Sequence, residues 1–525
     1  MNSLAPVPRR LPRLLAAILL YAAVCIGCGR APVQPTAPEP PAQQSLPADI
    51  EQQVHAFCGG ACHAYPPPDS FPRQHWRAEV ERGFRFFDQS GLALAPPKLS
   101  HVIRYYEDRA PSELPPATAI PATSPLPVHF KTISYPPPPG AGQPMISNVN
   151  PVKLYPPGAT AEARAREPLT LLACDMVGGR VLALRPTDPE PQWRELGKVP
   201  NPARAEVVDL NGDGILDILV ADLGSFPPSD RRCGSVVWLR GKADGTFQPI
   251  TLLKDVGRVA DVRAADFRGT GKLDLIVGAF GLHAVGETLF LENRTTDWNK
   301  PEFAPSIIDN RHGPIHVPVA DLNGDGHPDF VALIAQEHEM VVAFLNEGGG
   351  KFAKKTLYRA PHPAWGSSGI QLVDMNGDGQ LDVLYTNGDI LDEPYLWKPY
   401  HGLQWLENKG GLEFEYHRIA DMYGIHNAVA APICGGKLPD VLAVSFLPGD
   451  KFTDRTAKKA DAIAIFEQVA PGRFERHSLA IGSCDAVVCA AADLYGTGRL
   501  DLVIGNFSST TTNHPVVIWK NSGKK

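Results

Sequence analysis

The sequence predicts a mainly β protein: a seven-bladed β-propeller, with six blades as the alternative count, preceded by a small α-helical domain. Three observations lead there. An Asp- and Gly-rich loop followed by an apolar run recurs over the C-terminal part of the chain. Each copy is trailed by a second short run carrying an aromatic residue, as in "VVWLRG" and "LQWLEN". Proline-rich stretches separate this repeating region from a short N-terminal part, where apolar residues fall at helical spacing.

Taken in order, the chain opens with Arg9, Arg10 and Arg13 ahead of an apolar stretch from Leu14 to Ile26. That stretch is too short to span a bilayer comfortably and has the layout of a secretory signal peptide. It ends in "VCIGC", where Cys28 after the small Gly27 resembles the lipobox of bacterial lipoproteins, although Cys25 departs from the usual pattern. The resemblance implies that residues 1–28 are removed as a lipoprotein signal and that Cys28 is acylated. Export to the cell envelope follows, as a periplasmic, outer-membrane or cell-surface lipoprotein held to the membrane only by that anchor. Residues 29–50 form a Pro-rich, semi-rigid tether, 51–115 the small helical domain, 116–145 a second Pro-rich linker and 146–525 the propeller. The 525 residues are 43% apolar and carry a formal charge of −7 without a basic block. Nucleic acid is thereby excluded as a partner, and a monomer is expected.

In the helical domain, "HAFCGGACH" groups Cys58, Cys62 and His63 one residue wider than the Cys-x-x-Cys-His of c-type haem attachment. Two helices are expected in "RAEVERGFRFFDQSGLALAPPKLSHVIRYYEDRAP", with Ala78, Val80, Phe84 and Phe87 at helical spacing on the first. The stretch resembles the cytochrome c-like segments found ahead of VCBS-type propellers in some bacterial lipoproteins. The resemblance implies haem c on Cys58 and Cys62, with His63 bound to iron. No methionine lies between Met1 and Met145, so His75 or His101 would be the sixth ligand, or the iron would be five-coordinate. A Cys58–Cys62 disulfide and a zinc site remain the alternatives.

The repeat is clearest in "DLNGDGILD" from Asp209, "DLNGDGHPD" from Asp321 and "DMNGDGQLD" from Asp374. Weaker copies are "DFRGTGKLD" from Asp266 and "DLYGTGRLD" from Asp493; a sixth keeps only Asp440, and a seventh, "LLACDMVGGRVLAL" near Asp175, is the most eroded. The closing acids, from Asp217 to Asp501, follow one another at 57, 55, 53, 58 and 61 residues. Short β-rich runs between Gly- and Asp-rich turns suit four antiparallel strands per unit, and radial stacking of such units leaves few open sheet edges. A six-bladed ring would make 165–200 a cap.

Oxygen donors at alternate positions of a tight loop suit calcium, a hard cation taking six to eight oxygens; magnesium demands a stricter octahedron. Three loops keep every donor. They are Asp209, Asn211, Asp213, the Ile215 carbonyl and Asp217; Asp321, Asn323, Asp325, the His327 carbonyl and Asp329; and Asp374, Asn376, Asp378, the Gln380 carbonyl and Asp382. The bland reading is a hairpin turn whose acids cap backbone amides. Three aspartates crowded in one bend would, however, repel one another without a cation. The loops resemble FG-GAP/VCBS repeats, the blades of the integrin α-subunit head, over about residues 170–525.

Cys484 and Cys489 can pair only if the chain turns at Asp485, and Cys174, Cys233 and Cys434 read as core fillers. His283, His312, His316 and His426 fall on loops that could share one propeller face. The function these features suggest is a calcium-binding module for an extracytoplasmic protein or glycan, coupled to an electron-transfer haem, rather than an enzyme. The alternatives are a redox enzyme resembling quinoprotein dehydrogenases, whose tryptophan docking motifs are absent from this sequence, and an adhesive lipoprotein without haem.

Overall fold

The computed structural model describes residues 45–59, 64–137, 144–391, 393–507 and 514–524. The signal segment with Cys28, and Cys62 and His63 of the proposed haem motif, lie outside them.

Seven antiparallel sheets follow one another around a ring. Blade 1 spans 146–198, blade 2 202–256, blade 3 259–309, blade 4 314–359, blade 5 367–421 and blade 6 425–481. Blade 7 takes three strands from 486–524 and its outermost from Val128–Ser134. The ring is closed because the first strand of every blade touches the first strand of the next, blade 7 back to blade 1 included. Neighbouring sheets meet through apolar faces, as where Leu219 and Trp238 of blade 2 pack on Val262, Leu275 and Leu291 of blade 3. In blade 4 the first strand is split into Pro314–His316 and Val319–Ala320, since Pro318 between them has no amide for the ladder.

The seven blades expected from the repeats are present, and residues 165–200 accordingly belong to blade 1 rather than to a cap. Two readings need correcting. The Pro-rich 116–145 is not only a linker: Val128–Ser134 pairs antiparallel with Val516–Lys524 and closes the ring. Upstream of that strand the segment is docked on blades 5 and 6, with the Ala117 amide on the Tyr423 hydroxyl (2.7 Å) and Ser124 Oγ on Glu475 (2.9 Å). The eroded copy near Asp175 is not a repeat loop: Asp175 ends the second strand of blade 1, whereas the true loops join first and second strands.

N-terminal to the ring, the helices α1 (Ile50–Cys58), α2 (Trp76–Ser90) and α3 (Leu99–Arg109) pack around Trp76, Tyr105 and Tyr106. The Trp76 and Tyr106 rings stack at 3.8 Å. These helices rest on the face formed by the loops between second and third strands. Arg82 donates to the Glu393 carbonyl (2.9 Å), Tyr400 to the Ser70 carbonyl (3.3 Å), and Phe86 lies on His283. Among the described residues no helix is long and apolar enough to cross a membrane.

Candidate functional site

Each repeat loop joins the first strand of its blade to the second, so the loops of blades 2–7 open on one face of the ring. Gly212 and Gly214 have φ of 70° and 82°, a region that side chains with a Cβ resist, which is why both glycines persist even in the weak copies. In blade 2, Asp209 accepts the amides of Asp213 (3.1 Å) and Gly214 (2.9 Å), and Asp213 that of Ile215 (2.9 Å). Asn211 bridges to Asp213 Oδ2 at 2.8 Å. The loops at Asp321 and Asp374 repeat these bonds, so the three side chains of each bend are gathered rather than splayed.

The closing acid behaves differently. Asp217 is fully buried at the start of the second strand and accepts the Leu210 amide (3.0 Å) and the Gly241 amide (2.8 Å) at the end of the third. Asp329, Asp382, Asp440 and Asp501 bind the equivalent pairs of amides. This carboxylate staples the loop to the next hairpin whether or not the rest of the motif survives, which explains why six copies retain it. Its amide partner on the third strand is usually Asn or Gln, and that side chain reaches back to the preceding blade in three places. Asn346 donates to the Phe267 carbonyl (2.8 Å), Gln468 to Met375 (3.1 Å) and Asn521 to Ile433 (3.5 Å). The recurring Asn or Gln after the aromatic was visible in the sequence, but its cross-blade role was not.

Burial pushes the Asp217 carboxyl up to about 6, and the charge of Asp213 adds to the push. Asp329 is raised in the same sense by burial, then by Asp325 and Asp321, and Asp382 by burial and Asp378. The weak loop of blade 3 answers this differently. Arg268, at the third position, lays its guanidinium on Asp274 (Nε to Oδ2, 3.0 Å) and on Glu292 (2.7 Å), and its side chain is only 17% exposed. Where the loop has Thr270 in place of the fifth-position acid, a guanidinium stands beside the closing acid.

The four histidines do not converge. His316 enters the central channel, His426 bonds the Val487 carbonyl (3.0 Å), His283 lies under Phe86, and His312 faces Glu337 (2.8 Å). Nor do Cys484 and Cys489 pair: the first faces the Ala460 carbonyl and the second Asn427. Cys58 ends α1, where burial pushes its thiol up to about 11 against a Tyr106 hydrogen bond. His75 lines a cavity of about 280 Å³ with Glu79, Arg82 and Tyr395, and His101 lies on α3.

On the inner strands of blades 2 and 3, buried charges pair with one another. Asp261 holds Arg263 (3.1 Å) and Arg204 (3.7 Å), and Glu206 faces Arg263 (3.9 Å). Arg204 donates to His316 Nδ1 at 2.8 Å, which leaves the ring proton on Nε2, beside the Ser368 carbonyl (3.3 Å). The imidazole is therefore neutral; burial, then the Arg204 charge, pushes it down to about 3. A base lowered this way contributes stability that is complete above its ordinary pKa of about 6.5 and lost as pH falls toward 3. Denaturant titrations between pH 7 and 4 should thus show proton uptake on unfolding, smaller by up to about one proton in His316→Gln. An identical slope in the variant would remove His316 from this role.

Residues 209–277 and 321–385 match the FG-GAP-like repeat family. No curated protein matches the sequence. Among solved structures, the BBS1N part of a complex with ARL6DN is similar at 10% identity, covering 75% of this chain and 97% of that one, with a TM-score of 0.41. The biofilm matrix protein Bap1 of V. cholerae is similar at 12% identity, covering 75% and 91%, with a TM-score of 0.42.

Proposed function

Starting from a propeller built of FG-GAP-type repeats, we propose an exported, calcium-stabilised binding module for an extracytoplasmic protein or glycan, lipid-anchored at Cys28. Support for the binding role comes from the loop rims, since the charges on the inner strands of blades 2 and 3 pair with one another. On the face that also holds the helices, those loops bring aromatic rings together from separate blades. Phe507 lies 6.2 Å from Phe226 and 5.7 Å from Phe446, and Phe226 is 41% exposed. Nearby, Trp397 is covered by Lys458 (5.2 Å). Aromatic faces with adjacent cations are suited to stacking on sugars and to anchoring protein side chains.

Calcium would be held by Asp209, Asn211, Asp213 and Asp217 and by their counterparts in blades 4 and 5. The donors fit a hard cation: all are oxygens, gathered in one bend, around a buried carboxylate whose neighbours are negative. The ion would supply the charge that Arg268 supplies in blade 3. On the N-terminal side, Cys58, Cys62 and His63 would carry haem c, which would give the chain an electron-transfer group; a Soret band in purified protein tests this, and its absence favours the disulfide.

The binding role is tested by surface plasmon resonance of the full chain over immobilised glycans and extracellular proteins. Capture that weakens at least tenfold in Phe226→Ala is the expected result. Reduction of the haem by a small substrate, without any such capture, would favour the redox-enzyme reading instead.

A further inference from the structure

We propose a second kind of metal site, for a divalent transition ion such as zinc, made by His312, Glu337 and His338. The three side chains come from the connection between blades 3 and 4 and from the second-to-third-strand loop of blade 4, on the face opposite the repeat loops. Their ligand atoms all lie within 4.8 Å of one another. Nε2 of His312 is 2.8 Å from Oε1 of Glu337, and the two imidazole centroids are 4.8 Å apart. Both Nε2 atoms are buried; among the described residues that of His338 has no hydrogen-bond partner, and that of His312 has only the Glu337 contact, which is off hydrogen-bond geometry. Two buried imidazole nitrogens beside a carboxylate form the His₂Glu set that binds zinc through three protein ligands and leaves a fourth position open. Buried polar atoms of this kind call for an explanation, and a shared ion is a direct one.

The loop is built to hold this arrangement. Gln336 and Glu339 flank the pair with φ of 56° and 45°, unusual for residues with a side chain. Glu339 is buried and anchors the bend on blade 5, accepting the amides of Gly366 and Ser367 at 2.9 Å each. Glu337 and His338 are thereby projected toward His312, whose own loop is packed by Gly286. The nearby cations do not occupy the cluster, since Arg311 (2.6 Å) and Lys354 (3.1 Å) are both held by Asp309. Glu407, Glu415 and His417 make the informative contrast. There Lys409 already sits 3.0 Å from Glu407, so that cluster has its cation and needs no metal.

The test is zinc titration of the full chain in excess calcium, with cobalt absorbance as a second reading. One equivalent should be lost in His338→Gln and in His312→Gln, and retained in His417→Gln. The same equivalent should persist in Cys58→Ser with Cys62→Ser, which separates it from any N-terminal zinc. Melting temperatures measured without zinc show that the variants fold. Absence of zinc uptake, or uptake unchanged in both histidine variants, would overturn the proposal.

Discussion

Chelating calcium from the full chain is expected to lower its unfolding free energy by roughly 8 kcal/mol. The figure comes from three loops, each worth about 2.7 kcal/mol when the ion stands at a hundredfold its dissociation constant. At the usual unfolding entropy per residue, that corresponds to a fall of roughly 10 °C in melting temperature for a ring of this size. The cause is local. In blades 2, 4 and 5 the gathered carboxylates face a buried acid that already feels their charge. Magnesium at equal concentration should restore little, because it gives up its waters reluctantly. A melt that is the same with and without chelator would remove the metal from the folding account.

The second large effect is placed in blade 3. Arg268→Ala should cost about 3–5 kcal/mol, because it leaves Asp274, fully buried, without its counter-charge. Calcium should not rescue that variant, since Thr270 offers no carboxylate at the fifth position. Arg268→Asn combined with Thr270→Asp rebuilds the full donor pattern between Asp266 and Asp274. That double variant should be weak in chelator and regain stability in calcium. Equal melts for both variants, with or without calcium, would mean that Arg268 and the ion are not interchangeable.

The parts of this molecule that repeat were legible in its sequence, and the parts that act across distance were not. Blades 2 to 7 announced themselves because every closing acid must sit at the same place to accept the third-strand amide, with a loop amide, or Arg268 in blade 3, as its second partner. Blade 1 lacks such a loop, and Asp175 was matched to the wrong connection for want of a better local signal. The closing strand Val128–Ser134 was concealed between prolines, and its partner lies almost four hundred residues away, at Val516–Lys524. Arg268 was legible as a lost ligand but not as a replacement cation, since its acceptors Glu292 and Asn293 stand at the far end of the blade's third strand. The same limit explains the histidines. Sequence spacing suggested four that could share a face, whereas folding gave His312 neighbours from "EH" in the next blade's hairpin.

Three bends are expected to hold ions and the other repeat loops to hold none. Elemental analysis of the full chain, equilibrated in calcium and freed of unbound salt, measures this directly. The expected count is three calcium ions per chain, falling by one in each of Asp213→Ala, Asp325→Ala and Asp378→Ala and unchanged in Asp493→Ala. A chain that retains no calcium, or the same amount in all four variants, would contradict it.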